Sequence, residues 1–214
     1  KHRDELRLAI LEENYPWFVS VVSACSSQGS LSITTDCPAD DKASAPVLTF
    51  DRPPPMCIEP LNDYTAVFDT TEGEVKVRLD PDRTPNTVNN FVVLANYGYY
   101  NDTLLFRLDP TIAIIQGGSP HTQDWSDPGP GYNIPDEGGL FLPLTNSSVQ
   151  GPFTYGPGQL VMARSAGLNS SGAQFFFTTG PEVAALDAQG SYIVFGETDD
   201  ADLIVLQGIM DLYR

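Results

Sequence analysis

Histidine, cysteine and cationic side chains are scarce in this chain of 214 residues. It contains two histidines, three cysteines and 11 lysines and arginines, against 28 aspartates and glutamates, which gives a formal net charge of −17. An acidic surface repels phosphate backbones and anionic lipid headgroups, so we expect no direct binding to nucleic acid. Because the sequence has no apolar run of about 20 residues, we also expect no segment of it to span a membrane.

The sequence also lacks the motifs of the common hydrolytic, redox and nucleotide-dependent enzymes. It has no G-x-S-x-G elbow, no H-E-x-x-H pair, no P-loop, no G-x-G-x-x-G turn and no cluster of cysteines and histidines. We therefore expect no metal and no cofactor. The remaining candidate groups are neutral side chains and Arg107, which is set among apolar residues in the strand-like stretch 104–120.

One reaction needs neither a nucleophile nor a general acid or base, namely rotation about the peptide bond that precedes a proline. Amide resonance sets a barrier of about 18–20 kcal/mol, so the uncatalysed exchange is slow. An enzyme lowers this barrier when it binds the twisted amide more tightly than either planar form. A guanidinium group that donates a hydrogen bond to the prolyl nitrogen has this effect, because that nitrogen has an available lone pair only when the amide is twisted.

The N-terminal residues 1–24 are predicted to form a helix. Their apolar stripe consists of Leu6, Ile10 and Leu11, and the flanking positions are rich in charged residues. We interpret this helix as following a membrane anchor that lay upstream of residue 1. In the alternative interpretation, residues 17–25 are the end of a lipoprotein signal, although signals of that kind avoid such acidic flanks.

All three cysteines lie in the first 57 residues, at Cys25, Cys37 and Cys57. A Ser-, Asp- and Pro-rich stretch without its own core is a typical place for a stabilising disulfide, and we prefer the pair Cys37–Cys57 with Cys25 left over. The alternative is three buried or free thiols. A disulfide favours an extracytoplasmic location, whether secreted, periplasmic or anchored to a membrane. We place the boundary between an N-terminal extension, residues 1–62, and a folded domain, residues 63–214, near Asn62.

The domain begins with a predicted β-hairpin and a helix. Residues 64–80 alternate apolar and polar positions around "TTEG", where Gly73 supplies the turn. A helix is predicted after Thr84, a candidate cap, with Pro85 at its first position. Its buried face is expected to consist of Val88, Phe91, Val92 and Ala95. Several short strands and a second helix follow, which is typical of a mainly β barrel or sandwich capped by helices.

Four blocks in this domain resemble the cyclophilin family of peptidyl-prolyl cis-trans isomerases. They are "TPNTVNNFVVLA", "LFRLDPTIAIIQGG", "GQLVMARSAGLNSSGAQFFFTTG" and "LDAQGSYIVFG", and their order and spacing make the similarity specific. The resemblance covers residues 63–213. It implies a closed, eight-stranded antiparallel β-barrel capped by two α-helices, with a proline-binding site on its outer face. It also implies proline-containing polypeptides as partners.

The resemblance assigns a role to individual residues of this chain. Arg107 corresponds to the catalytic arginine, and Gln116 to the glutamine beside it that binds the substrate backbone. The residues that correspond to the rest of the substrate-binding pocket are Ala113, Ile114, Ala163, Gln174, Phe176, Leu186 and Tyr192.

The sequence departs from the family pattern at several positions near this site. The stretch between Arg107 and Gln116 carries one extra residue, and Ala113 stands where the family has a pocket aromatic, which implies a weaker hold on proline. Many members have a tryptophan where this chain has Ala185, so we do not expect tight binding of cyclosporin. Arg164 stands where the family usually has asparagine.

The chain stops after its last predicted helix, so the family's final barrel strand is missing from the sequence. We therefore expect either a truncated chain or a sheet that closes in a different way. Two functions fit these observations. The first is a peptidyl-prolyl isomerase that assists protein folding outside the cytoplasm. The second is a non-catalytic module that binds proline-containing segments or serves as a scaffold.

Overall fold

The structure is a computed structural model that describes residues 5–12, 36–38 and 45–213. These residues form nine β-strands, two α-helices and one 3-10 helix. In chain order these are β1 Glu5–Glu12, β2 Tyr64–Thr70, β3 Gly73–Leu79, α1 Pro85–Asn96, β4 Thr103–Leu104, β5 Arg107–Asp109, β6 Ile114–Gly117, β7 Gln159–Arg164, β8 Ser171–Thr178, the 3-10 helix Pro181–Leu186, β9 Val194–Glu197 and α2 Asp200–Met210.

The strands form one curled antiparallel sheet in the order β4–β1–β2–β3–β9–β7–β8–β6–β5. This confirms a mainly β fold with few helices. A closed barrel is not confirmed, because the ladder of described strands ends at β4 on one side and at β5 on the other. The two edge strands are nevertheless close in the chain, since only Leu105 and Phe106 separate them.

The first strand corrects the prediction of an N-terminal helix. Residues 5–12 form β1, which pairs with β2 at Ile10↔Ala66 and with β4 at Leu6↔Thr103. The helix prediction is wrong for these residues, and its remainder lies outside the described part of the chain. The physical reason is that "ELRLAILE" also alternates with a period of two, so pairing with β2 and β4 decides its conformation rather than local propensity.

The β2–β3 hairpin has the predicted turn. Thr70 and Gly73 form the last residue pair before the turn, and Gly73 has a positive φ of 140°. The Thr70 hydroxyl donates to the Gly73 carbonyl over 2.6 Å and accepts from the backbone N–H of Glu72 over 3.2 Å. The side chain therefore satisfies the polar groups of the turn, as is common for threonine in this position.

Helix α1 buries the predicted face, because Val88, Phe91, Val92 and Ala95 are all buried. Its N-terminus differs from the prediction. The Thr84 side chain does not cap the helix and instead donates to the Asp80 carbonyl. Glu137, from a distant loop, accepts hydrogen bonds from the backbone N–H groups of residues 86 and 87 over 3.1 and 2.7 Å. A carboxylate at this position also interacts favourably with the helix dipole.

Aromatic side chains fill the space between α1 and the sheet. Phe68 of β2 contacts Phe175 and Phe177 of β8 edge-on, with ring centroids 5.7 and 4.8 Å apart. Phe91 of α1 stacks on Tyr100 at 5.1 Å. Since residues 175 and 177 point into this core, residues 174 and 176 must lie on the opposite face of β8.

A disulfide joins two parts of the segment that precedes β2, and an asparagine of α1 ties this segment to the helix. Cys37 and Cys57 form the predicted disulfide, whereas Cys25 lies outside the described residues. Asn89 of α1 accepts from the backbone N–H of Cys57 over 2.7 Å and donates to the Pro55 carbonyl over 2.8 Å. Within residues 5–12, 36–38 and 45–213, the helices are all too short or too polar to cross a membrane.

Candidate active site

Three neighbouring strands bring the key predicted residues into one row. Arg107 of β5 lies opposite Gln116 of β6, and Gln116 lies opposite Phe176 of β8. Residues directly opposite each other in a sheet have their side chains on the same face. Gln174 shares this face, because it precedes Phe176 by two positions. The row is on the side of the sheet that faces away from the aromatic core.

A chain of hydrogen bonds links the polar members of this row. Arg107 Nη1 donates to Gln116 Oε1 over 3.1 Å, and Gln116 Nε2 donates to Gln174 Oε1 over 2.8 Å. The direction is fixed chemically, because a guanidinium only donates and Gln116 must therefore present its oxygen to Arg107. The Gln116 side chain is buried, whereas 45% of the Arg107 side chain is exposed. The arginine can thus meet a ligand while its neighbours hold it in place.

Aromatic side chains lie next to the polar row. Phe176 is only 3% exposed and meets the edge of Tyr192, with ring centroids 5.6 Å apart. Tyr192 is itself held through its backbone, because the Tyr155 hydroxyl donates to its carbonyl over 2.9 Å and accepts from its N–H over 2.8 Å. Burial raises the pKa of Tyr155. The phenol therefore stays protonated and can both donate and accept these hydrogen bonds. This arrangement gives the polar row an apolar border of fixed shape.

The other predicted pocket residues lie around this centre. Ile114 begins β6 and shares the face of Gln116, two positions later. Ala163 is half-buried at a β-bulge in β7, and bulges commonly redirect side chains beside functional sites. Leu186 ends the 3-10 helix and is half-buried against the core. The structure therefore brings Arg107 and Gln116 into contact with each other and places Ile114 on their side of the sheet.

Ala113 differs from the others because it lies in a turn and not in a strand. Its backbone has a φ of 50°, its side chain is 4% exposed, and its carbonyl accepts from both the N–H and the hydroxyl of Thr179. A left-handed conformation is costly for a residue with a Cβ. Ala113, which was expected to replace a pocket aromatic, is thus a small residue in a tight, hydrogen-bonded turn.

We predict that Ala113→Gly leaves the free energy of unfolding unchanged or raises it by up to about 1 kcal/mol, because relief of the left-handed backbone offsets the added freedom of the unfolded chain. Ala173→Gly is the matched control, since Ala173 is equally buried but lies in the interior of β8. We expect this control to lose about 1 kcal/mol. Urea denaturation of both variants measures the contrast, and an equal loss in the two would contradict the explanation.

Two acidic residues that were not predicted to belong to the site contact Arg107 and Arg164. Asp109 Oδ2 lies 2.7 Å from Arg107 Nη2, and Asp136 Oδ2 lies 3.1 Å from Arg164 Nη2. The first could have been found, because an aspartate two positions after Arg107 in a strand must share its face. The second could not, because Asp136 is in a loop whose position is set by tertiary contacts.

The described residues contain no group of three or more histidine, cysteine or acidic side chains arranged to hold a metal ion. The groups that the site offers are hydrogen-bond donors, amides and apolar surface. Such a site can bind and orient a peptide backbone beside an apolar ring, and can place a charged donor against it.

Comparison with known proteins shows the family to which the chain belongs. The family model described as "Cyclophilin type peptidyl-prolyl cis-trans isomerase/CLD" matches residues 65–211, well over half of the chain. The chain belongs to this family. The resemblance read from the sequence is thereby confirmed at the level of the family.

Individual relatives are also named peptidyl-prolyl cis-trans isomerases. A probable peptidyl-prolyl cis-trans isomerase B of Mycobacterium leprae is 32% identical over 159 residues, which cover 71% of this chain and 52% of the relative. A peptidyl-prolyl cis-trans isomerase of Synechococcus elongatus is 35% identical over 135 residues, which cover 63% of this chain and 80% of that relative. The chain thus spans about half the length of the first relative.

A solved structure is similar in fold as well. The crystal structure of a Cryptosporidium parvum cyclophilin type peptidyl-prolyl cis-trans isomerase matches with a TM-score of 0.50 and 28% sequence identity. The match covers 66% of this chain and 82% of that one.

Proposed function

We propose that this protein is a peptidyl-prolyl cis-trans isomerase that accelerates rotation about X–Pro bonds, with Arg107 as the group that stabilises the twisted amide. The observation that carries the proposal is the hydrogen-bonded row from Arg107 through Gln116 to Gln174, beside the buried ring of Phe176. The relatives' shared name supports the same reaction.

In the proposed mechanism, the substrate backbone binds along the polar row and its proline ring packs against the aromatic border. Gln116 and Gln174 hold the backbone by hydrogen bonds that add no charge. As the X–Pro bond rotates, the prolyl nitrogen loses its conjugation and gains a lone pair. An N–H of Arg107 then donates to that nitrogen, and this interaction exists only near the transition state.

The arginine is suited to this role because its guanidinium is planar, permanently charged and forked. Two of its five N–H groups are engaged by Gln116 and Asp109. The remaining three are available to a substrate. The exposed part of the side chain therefore presents donors whose direction is already set.

We further propose that the substrates are exposed X–Pro bonds of polypeptides outside the cytoplasm, where the protein would assist their folding. The disulfide between Cys37 and Cys57 supports this location, because structural disulfides persist mainly in oxidising compartments. The negative net charge favours substrates that are neutral or basic around their prolines.

A second function, that of a non-catalytic module for proline-containing segments, is favoured by one observation. The turn before β6 holds Ala113 where the family has an aromatic, so the pocket has less apolar surface for a proline ring. Such a module would bind a peptide through the same row without accelerating its isomerisation.

Exchange spectroscopy by NMR on a short peptide with an Ala-Pro bond distinguishes the two functions. We expect catalytic amounts of the protein to broaden and exchange the cis and trans proline signals, which interconvert on the scale of tens of seconds or more in its absence. Peptide binding without accelerated exchange would instead indicate the module. Absence of both would contradict the proposed function.

A further inference from the structure

We propose that Asp109 is a positioning residue that holds the Arg107 guanidinium in its working orientation. This inference rests on the proposed function and adds to it a residue outside the set that the family resemblance identified. It also assigns a purpose to the turn after β5, where the chain carries its extra residue.

Asp109 and Gln116 hold the guanidinium from two sides. Arg107 Nη2 lies 2.7 Å from Asp109 Oδ2, and Nη1 lies 3.1 Å from Gln116 Oε1. A planar group that is fixed at both terminal nitrogens cannot rotate about the Nε–Cζ axis or swing away without breaking one of these contacts. The side chain is 45% exposed and is thus only partly packed, so these two contacts are what orders it.

The carboxylate of Asp109 is itself held in place by the turn. Its Oδ1 accepts from the Thr111 N–H over 3.1 Å and from the Thr111 hydroxyl over 2.5 Å. One oxygen is therefore committed to the turn and the other to Arg107. The Thr111 hydroxyl and then Arg107 lower the pKa of Asp109, so it is charged at neutral pH.

The rest of the turn supports the same arrangement. Ala113 completes it with a left-handed backbone, and its carbonyl is bound by Thr179 at the end of β8. β6 then starts at Ile114 and carries Gln116 back to the position opposite Arg107. The turn thereby connects the two residues that contact the guanidinium and fixes the distance between them.

Loss of Asp109 is expected to affect kcat and KM differently. If Asp109 only orders Arg107, and Arg107 acts only near the transition state, then loss of Asp109 lowers kcat and leaves KM almost unchanged. A residue with a purely structural role would instead change stability, or kcat and KM together.

The test uses three variants of the full chain in the Ala-Pro exchange assay. We expect Asp109→Ala to lower kcat about tenfold with KM within about twofold of the original. Asp109→Asn, whose amide oxygen can still accept from Arg107, should recover part of the loss. Thr111→Val keeps the ion pair and the Thr111 N–H but removes the hydroxyl that holds the Asp109 carboxylate, so its kcat should fall by a smaller factor, no more than about threefold. An unchanged kcat in Asp109→Ala, or a KM that rises as much as kcat falls, would overturn the proposal.

A second measurement separates this inference from the proposed function. NMR of the arginine side-chain nitrogens reports rotation of the Arg107 guanidinium without any substrate. We expect resolved Nη signals in the original protein and averaged signals in Asp109→Ala. A protein without isomerase activity that still shows this contrast would contradict the proposed function alone. Averaged signals in the original protein would contradict the role of Asp109.

Discussion

Replacing Arg107 by alanine should lower kcat/KM for an Ala-Pro peptide by about 10²–10³-fold, the range measured when one preorganised transition-state donor is removed. Gln116 and Gln174 are neutral donors, so the charged donor at this row is lost with Arg107. The loss should appear mainly in kcat, because the donor meets a lone pair that the planar ground state lacks.

Two control variants make this result specific. Arg107→Lys keeps the positive charge but loses the planar fork that contacts Gln116 and Asp109, and should recover only a small part of the activity. Arg78→Ala removes an exposed arginine from β3, elsewhere in the sheet, and should leave the rate unchanged. Activity of Arg107→Ala within about threefold of the original would exclude the arginine as the stabilising donor.

Much of this site could be anticipated from the sequence, because strands alternate their side chains. "AQFFFTT" must place Gln174 and Phe176 on one face and Phe175 and Phe177 on the other, and the structure has this pattern. The register between strands could not be anticipated. That Arg107, Gln116 and Phe176 form one row depends on pairing between β5, β6 and β8, and β8 is more than fifty residues away along the chain.

The N-terminal strand illustrates the opposite case. Residues 5–12 fit a helix by their spacing of three and four and a strand by their spacing of two, so local pattern cannot decide between them. The structure places them between β2 and β4, and their backbone pairs with both strands. Pairing partners that are distant in the chain therefore determine the conformation of this segment.

The turn between β5 and β6 shows how an apparent defect can have a structural purpose. From the resemblance to the family, we expected at this place only an extra residue and a missing aromatic. In the structure, the same residues form a turn around the Asp109 carboxylate, with contacts to Thr111 and Arg107. A family pattern cannot indicate such contacts when the residues that form them depart from that pattern.

Replacing Arg164 by methionine should lower the free energy of unfolding by about 3–5 kcal/mol, because it leaves the buried carboxylate of Asp136 without its cationic partner. The side chains of Arg164 and Asp136 are only 3% and 6% exposed, and their ion pair spans 3.1 Å. Arg164 also donates to the carbonyls of Gly167 and Ser191, and Ser191 immediately precedes Tyr192 of the aromatic border. One guanidinium thus connects three loops beside the site.

Urea denaturation of a set of variants tests this explanation. The double variant Arg164→Met with Asp136→Leu removes both charges and should recover much of the loss, though not the hydrogen bonds to the two carbonyls. Lys76→Ala breaks an ion pair with Glu74 in which both side chains are more than half exposed, and should leave the free energy of unfolding almost unchanged. If the double variant were as unstable as Arg164→Met, the loss would come from the missing carbonyl contacts and not from an unpaired charge. In that case, the guanidinium would stabilise the loops that contain Asp136, Gly167 and Ser191 through the hydrogen bonds it donates rather than through its charge.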